Sequence, residues 1–158
     1  MNKRLKTIGF IFLGFVSLCV GAFVLLLLYI GMVSPETYIY RGENIPPRFM
    51  KKIQGHGLLE KQETIQYFYS DGLWDMDEGF YFVTDNNLVL YSNEWDPKQN
   101  IIPFEQITYV SAVYNDGFFV DSIVTVDTDV FEYSFPLSSE KGRDHKFVEF
   151  LEVKTIKK

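Results

Sequence analysis

The feature that most constrains this chain is an uncharged apolar run of 26 residues, from Ile8 to Val33. A helix of about 20 apolar residues crosses the hydrocarbon core of a membrane, so this run suffices for one tilted crossing but not for two. A cleaved signal peptide has an apolar region of about 7–15 residues followed by a small-x-small site. Here Ser34, Pro35 and Glu36 follow, with no such site. The run therefore predicts an uncleaved transmembrane helix over residues 8–33.

The distribution of lysine and arginine predicts the orientation of this helix. Residues 1–7 form a short basic tail, whereas the basic residues after the helix are spread over a longer stretch. Basic residues close to a helix end favour the cytoplasmic side. The tail contains Lys3, Arg4 and Lys6, and the later stretch contains Arg41, Arg48, Lys51 and Lys52. We therefore expect a single-pass protein of a bacterial inner membrane, with a cytoplasmic N-terminus and its remaining domain outside the cytoplasm.

Three small residues, Gly14, Ser17 and Gly21, share one face of the predicted helix at positions i, i+3 and i+7. Small residues allow membrane helices to approach closely, so this face could seat a partner helix and give a homo-oligomer. The other interpretation is that glycine is simply frequent in membrane helices. The only cysteine, Cys19, lies in the same run, so the remaining domain can form neither a disulfide nor a cysteine-based metal site.

Charge divides the chain into two parts. Residues 1–54 carry seven Lys/Arg and two Asp/Glu, which gives +5, and residues 55–158 carry eight and nineteen, which gives −11; together they give the net charge of −6. The acidic part repels nucleic acid and anionic headgroups, so we expect no nucleic-acid partner. A basic protein partner would be attracted. The alternative is that the charge only maintains solubility.

Residues 34–57 are expected to be a juxtamembrane connector. Pro46 and Pro47 favour the start of a short helix over Arg48–Gln54, which Gly55 and Gly57 would end. Its basic residues could contact lipid headgroups while Phe49, Met50 and Ile53 pack elsewhere.

From residue 62 onward, apolar residues alternate with polar ones and turn residues recur at short intervals, as in antiparallel strands. The tightest turn signals are the runs at residues 85–87 and 115–117, and Pro136 is expected to end the last strand. The predicted strands are Gln62–Ser70, Gly79–Thr84, Leu88–Ser92, Ile101–Phe104, Ile107–Tyr114, Asp121–Asp127 and Val130–Phe135.

The last segment changes to a helical period. Ser138 or Ser139 can cap a helix in which Phe147, Phe150 and Leu151 share one face. We therefore expect a mainly β fold, an antiparallel barrel or sandwich of six or seven strands capped by one C-terminal helix.

Four segments of this part resemble the bacterial pleckstrin-homology-like domains, which are related in shape to GRAM domains. They are Leu58–Tyr69, the threonine–aspartate hairpin Phe82–Tyr91, the isoleucine–proline segment Ile102–Ile107 and the closing helix Phe147–Leu151. The resemblance covers residues 58–153 and implies a pleckstrin-homology-like domain over residues 58–158.

The loop between the first two strands departs from the lipid-binding members of that wider family. Those members use basic residues in this loop, whereas residues 70–79 hold four acidic residues and no basic one. Phosphoinositide binding through the loop is therefore not expected. Three interpretations remain open: a calcium site from Asp75 and Asp77, a solvated hairpin tip, or a protein-contact loop formed by Trp74, Asp75, Asp77 and Glu78.

No residue is predicted to be catalytic, cofactor-binding or metal-binding. His56 and His145 lack a serine or cysteine in a recognisable nucleophile context, and the sequence has no phosphate-binding glycine loop. The leading hypothesis is a non-enzymatic, membrane-tethered module that binds another protein, with an immunity protein for a basic envelope toxin as one form. The alternatives are a lipid- or small-molecule-binding domain at the membrane surface and, last, an enzyme.

Overall fold

The N-terminal part of the chain is one continuous helix, α1 (Lys3–Val33). The structure is a computed structural model that describes residues 3–33, 38–117 and 120–156, with the side chains of α1 described over residues 12–31. Within α1, Phe12–Gly31 is a stretch of 20 residues that is long and apolar enough to cross a membrane. The side chains of the basic tail (residues 1–7) and residues 34–37 of the predicted connector lie outside the described residues, so the orientation stays a prediction.

The described residues of the second unit form eight strands in two antiparallel sheets and two α-helices. Its elements are β1 (Tyr40–Arg41), α2 (Pro47–Gly55), β2 (Tyr67–Ser70), β3 (Phe80–Val83), β4 (Asn87–Tyr91), β5 (Gln99–Pro103), β6 (Ile107–Val113), β7 (Ser122–Thr128), β8 (Glu132–Leu137) and α3 (Arg143–Thr155). The order is β1-β2-β3-β4-β5 in one sheet and β6-β7-β8 in the other. This confirms the mainly β fold with a closing helix, although the strands number eight rather than six or seven.

The main core lies between the two sheets and α3. The five-stranded sheet contributes buried side chains that include Tyr81, Val83, Leu88 and Leu90, and the other layers contribute further ones. Among these are Val124, Val126, Phe135 and Leu137 of the three-stranded sheet and Phe147, Val148 and Leu151 of α3. The predicted apolar face of the closing helix is confirmed, because Phe147 and Leu151 are fully buried and Phe150 packs on the same core.

A second core covers the opposite face of the five-stranded sheet. Strands β3 and β4 are buried at every position, since Phe80, Phe82, Val89 and Tyr91 point away from the main core. Phe49 and Ile53 of α2 lie on these side chains, with Phe49 stacked on Phe68 at 5.8 Å between ring centroids. The helix spacing of four residues puts Phe49 and Ile53 on one face, which explains why this short helix is held.

The boundary that the sequence suggested at residue 58 is not a boundary in the structure. Residues 38–57 are part of the folded unit, because β1 pairs with β2 through Tyr40↔Phe68 and α2 supplies buried side chains. The helix expected over Arg48–Gln54 is found as Pro47–Gly55, with its proline at the first position as predicted. The physical reason is the apolar outer face of the sheet, which needs a cover.

The start of β2, the end of β8 and the start of α3 differ from the sequence prediction in ways that have a physical reason. Residues 62–66 are a turn and irregular backbone rather than strand, and β2 starts only at Tyr67. Strand β8 continues through Pro136 to Leu137, which an edge strand tolerates because the missing N–H faces away from its neighbour. Ser138 Oγ accepts the N–H of Glu140 in a short turn, and α3 begins only after Gly142, whose φ is +61°.

Candidate functional site

The predicted contact loop between β2 and β3 is docked on α2. Lys52 Nζ of α2 lies 3.0 Å from Asp77 Oδ2 and also contacts Asp75 Oδ1. His56 Nε2 lies 3.1 Å from Asp77 Oδ1, and its ring packs on Tyr91 at 4.6 Å. The hydrogen bond from Lys52 lowers the pKa of Asp75. The carboxylates of this loop are therefore partly neutralised within the protein.

Glu78 has an internal role as well. Its carboxylate accepts the backbone N–H groups of Leu73 at 2.7 Å and of Trp74 at 3.4 Å. The side chains of Leu73 and Trp74 themselves are exposed, while Met76 is buried beneath the loop. Of the four predicted contact residues, Trp74 thus exposes a large aromatic side chain to solvent, and the three carboxylates of Asp75, Asp77 and Glu78 form contacts within the protein. The interaction role of the loop stays a prediction.

The two histidines have separate surroundings. His56 belongs to the contact between α2 and the loop, whereas His145 stacks on Tyr114 at 3.8 Å between ring centroids. Within residues 3–33, 38–117 and 120–156, no three His, Cys, Asp or Glu side chains come together in a way that could hold a metal ion. Among the described residues, no third His, Cys, Asp or Glu side chain therefore joins Asp75 and Asp77 in a group that could complete the calcium site.

The small face of α1 is open. A Cβ placed on Gly14 or Gly21 would meet no atom within 4 Å, and Ser17 is exposed. The face is thus available to a second helix, and helix association stays a prediction.

A groove that the sequence did not reveal runs between the free edges of β5 and β8. Each strand has a single neighbour, β4 for β5 and β7 for β8. Two adjoining hollows of about 390 Å³ and about 700 Å³ lie between them and share Asn100, Phe131 and Tyr133 in their walls. We call this the β5–β8 groove. Its lining also includes Glu94, Trp95, Asp96, Gln99, Ile101, Asp129, Glu132 and Ser134.

The register shows which backbone groups of β8 face this groove. Thr128 N–H donates to Phe131 O at 2.8 Å, and the pairs Val126↔Tyr133 and Val124↔Phe135 follow at steps of two. Hydrogen-bonded pairs alternate with non-bonded pairs in an antiparallel ladder. The N–H and C=O groups of Glu132 and Ser134 therefore point away from β7, toward the groove.

The same reasoning applies to β5. Ser92 N–H donates to Lys98 O at 2.9 Å, and Phe104 N–H donates to Asn86 O at 3.0 Å, so the even-numbered residues of β5 bond to β4. Gln99 and Ile101 then direct their N–H and C=O groups toward the groove. Each strand has a proline near its C-terminal end, Pro103 in β5 and Pro136 in β8. Each proline occupies an outward position, where its missing N–H removes no ladder hydrogen bond.

The groove is acidic and partly aromatic. Four of its described lining residues are Asp or Glu, and none of the described lining residues is lysine, arginine or histidine. Among the described residues, Glu94, Asp96, Asp129 and Glu132 take part in no ion pair, in contrast to Asp75 and Asp77. The prolines inside β5 and β8 are a sequence signal of edge strands, but a single sequence does not show that the two edges face each other.

The topology is that of a pleckstrin-homology-like domain, with an antiparallel sheet followed by a three-stranded antiparallel sheet and one closing helix. The resemblance predicted from residues 58–153 is therefore confirmed at the level of the fold. Before residue 58, β1 extends the first sheet beside β2, and α2 covers the outer face of that sheet.

Two solved structures are similar to this chain. One is a DUF1696-family protein with a pleckstrin-homology domain from Shewanella loihica, with 10% identity and a TM-score of 0.49, over 75% of this chain and 96% of that one. The other is a pleckstrin homology domain from Shewanella amazonensis, with 13% identity and a TM-score of 0.46, over 68% and 86%. No family model matches the sequence, and no curated protein matches it significantly.

Proposed function

We propose that this chain is a membrane-tethered, non-enzymatic interaction module that binds a basic partner protein in the β5–β8 groove. The observation that carries the proposal is a groove flanked by two free strand edges whose carboxylates have no ion-pair partner among the described residues. The pleckstrin-homology-like fold supports the general role, because such a fold offers sheet edges and loops without supplying chemistry of its own.

Strand addition is the binding mode that the free edges favour. An extended peptide that joins a sheet edge gains main-chain hydrogen bonds, and its alternate side chains enter pockets. Glu132 and Ser134 on one side and Gln99 and Ile101 on the other each offer donors and acceptors over two residues. The prolines limit this length, so we expect a short extended segment rather than edge-to-edge stacking of whole sheets.

Charge selects the partner. Four carboxylates line the groove without a cation, so a basic segment is attracted and an acidic one is repelled. Association should accordingly weaken as salt is added, because these carboxylates are exposed to solvent.

Tethering and orientation form a separate part of the proposal. The stretch Phe12–Gly31 supports a membrane anchor by its length and composition, and the basic tail supports a cytoplasmic N-terminus. Fusions at the C-terminus test this directly: alkaline phosphatase should be active and a cytoplasmic fluorescent reporter dark. The reverse pattern would place the domain, and its partner, in the cytoplasm.

An immunity protein for a basic envelope toxin is the more specific form of this function. Its support is the acidic groove together with the anchor and the predicted orientation. Cells that express the chain should survive a toxin whose basic segment binds the groove, and the groove variants described below should remove that protection.

The rival function is lipid or small-molecule binding at the membrane surface. The acidic loop of residues 70–79 and the acidic groove both oppose anionic headgroups. Flotation with liposomes of anionic lipid distinguishes protein binding from lipid binding. We expect a fragment of residues 38–158 to stay in the soluble fraction, as a protein-binding domain would. Its recovery with the liposomes would favour the rival.

The test of strand addition uses two substitutions at one position. Ser134→Pro removes the N–H that faces the groove and leaves the ladder with β7 intact, whereas Ser134→Val keeps the N–H in a residue that favours strands. A photocrosslinking amino acid at position 134 should give an adduct with a basic protein, and one at the exposed Glu152 of α3 should not.

A crosslinked protein supports strand addition only when three further results agree. The crosslinked residue must map to a basic segment, a synthetic peptide of that segment must bind with salt-dependent affinity, and Ser134→Pro must abolish the binding that Ser134→Val retains. Equal binding by both variants would refute strand addition on β8. Gln99→Pro against Gln99→Val repeats the comparison on β5, so a folding failure at one position leaves the other informative.

A further inference from the structure

We propose that the larger hollow of the groove, between Trp95 and the Phe131–Tyr133 pair, binds one cationic side chain, an arginine or lysine of the partner's extended segment. This inference rests on the proposed function and specifies which chemical group of the partner is recognised. The hollow measures about 700 Å³ and has three aromatic and three acidic residues in its lining.

The contrast with the neighbouring acidic loop supports a cationic occupant. In that loop, Lys52 contacts both Asp75 and Asp77, so the protein supplies its own cation. In the hollow, the carboxylates of Glu94, Asp96 and Glu132 have no such partner in the part of the chain that the structure describes. The hollow therefore keeps its negative charge for a group from outside.

The aromatic walls add a second and independent preference. The rings of Phe131 and Tyr133 have centroids 6.1 Å apart and planes inclined at 58°, so they form an angle rather than a closed stack. Trp95 also lines the hollow. Aromatic faces attract ammonium and guanidinium groups, and the attraction grows as the cation loses water. Carboxylates and aromatic faces together select an organic cation rather than a hydrated metal ion.

Both walls are held in place before any ligand arrives. Trp95 packs on Tyr81 at 6.3 Å between ring centroids, and the backbone N–H of Trp95 donates to Ser92 O. Phe131 belongs to a tight turn in which Thr128 binds both its N–H and its C=O. Phe131 is nonetheless 62% exposed. Contact of this apolar ring with water is unfavourable, so a partner that covers the ring would gain free energy.

The two tryptophans of the chain provide a probe and an internal control. Trp95 lies in the hollow, and Trp74 lies exposed on the β2–β3 loop. We would place the full chain, labelled with fluorinated tryptophan, in detergent micelles and record fluorine NMR spectra. Trp74→Phe and Trp95→Phe assign the two signals. The probes are the amides of N-acetylarginine, N-acetyllysine and N-acetylcitrulline, the last being a neutral analogue of arginine.

We expect the Trp95 signal to shift saturably with the arginine and lysine amides, while citrulline leaves it in place and the Trp74 signal does not move. Glu132→Gln together with Glu94→Gln should weaken the arginine response about tenfold. Equal responses to arginine and citrulline, equal shifts of both tryptophans, or no shift of Trp95 would each overturn the cation site. A stronger response to free choline than to an arginine-containing extended peptide would overturn a polypeptide source.

These outcomes separate the inference from the function on which it rests. Suppose that an arginine-containing extended peptide and its citrulline version bind the groove equally, and that Ser134→Pro abolishes the binding of both. This result would support strand addition and refute the cation site. Suppose instead that the arginine amide shifts the Trp95 signal, and that Ser134→Pro and Gln99→Pro leave peptide binding unchanged. This result would support the cation site and refute strand addition.

Discussion

Lys52 Nζ lies 3.0 Å from Asp77 Oδ2, and this contact joins α2 to the loop between β2 and β3. The same ammonium group also contacts Asp75, so a single lysine bridges two of the four predicted contact residues. The bridge links a helix that covers the second core to a loop 23 residues further along the chain. The positive charge of Lys52 offsets the repulsion between the carboxylates of Asp75 and Asp77, which explains how this acidic loop keeps one conformation.

Lys52→Met should lower the free energy of unfolding by about 0.5 kcal/mol at neutral pH. The effect is small because 38% of the Lys52 side chain and 55% of the Asp75 side chain are exposed, and water screens the pair. Denaturant unfolding of the full chain, compared with Lys51→Met at the exposed neighbouring position, measures it. A loss of several kcal/mol would mean that Lys52 has a packing role that the structure does not show.

The same pair predicts a dependence on pH. The hydrogen bond from Lys52 lowers the pKa of Asp75 below its usual 3.8, so this stabilisation is present above that value and is lost as the pH falls through the lowered pKa. Burial acts to lower the pKa of Lys52, but hydrogen bonds to Asp75 and Asp77 outweigh it and raise the pKa above 10.5. The stabilisation is therefore also lost as the pH rises through that raised value. The wild type and Lys52→Met should converge at both extremes.

Phe49→Ala should destabilise the domain by about 3–5 kcal/mol, as expected for a buried phenylalanine. Gln54→Ala, on the exposed side of the same helix, is the control and should change little. Thermal and chemical denaturation measure both. If Phe49→Ala behaves like the control, α2 is not a structural part of the domain.

A fragment of residues 58–158 should be defective where a fragment of residues 38–158 folds. The shorter one lacks β1 and α2 and would expose Phe68, Phe80 and Phe82 to water. Binding of a hydrophobic dye and the elution volume in gel filtration should reveal association of the shorter fragment. A monomeric, cooperatively unfolding 58–158 fragment would contradict this.

The sequence pattern was sufficient for the order of elements because it is local. Alternation in β8 and the tight turn before β4 depend on residues that are neighbours in the chain, and the helical period of α3 does too. The β-prone composition from Gln62 onward predicts too early a start for β2, because residues 62–66 form a turn and irregular backbone instead. Pro136 predicts the end of a strand that in fact continues, because a single sequence does not show which strand lies at an edge.

The cover of the outer sheet face and the β5–β8 groove required the tertiary structure. The continuous apolar residues of β3 and β4 are typical of strands buried on both faces. Nothing in the pattern, however, identifies Phe49 and Ile53 as the cover. Likewise Trp95 and Phe131 are 36 positions apart, and only the packing of the two sheets brings them to one hollow.

Ser122→Ala should cost about 1–3 kcal/mol, because Ser122 Oγ donates to the buried Asp144 Oδ2 at 2.7 Å and no water can replace it easily. The matched control lies on the same strand: Thr125→Ala removes a hydrogen bond to Ser134 at the surface and should cost under about 0.5 kcal/mol. Urea unfolding compares the two. Equal costs would mean that Asp144 finds another partner when Ser122 is lost.

Leucine at Gly14 or Gly21 should disrupt self-association of the membrane helix without unfolding it. A Cβ at either position meets no atom within 4 Å, so the larger side chain is accommodated in a single helix, and only a second helix packed on this face would be displaced. Energy transfer between labelled copies in vesicles measures association. Cys19→Leu is the control, since Cys19 is exposed and lies on the opposite side of the helix from Gly14, Ser17 and Gly21. Unchanged energy transfer in the Gly14 and Gly21 variants would show that this face does not hold copies together, and the common frequency of glycine in membrane helices would then account for the pattern.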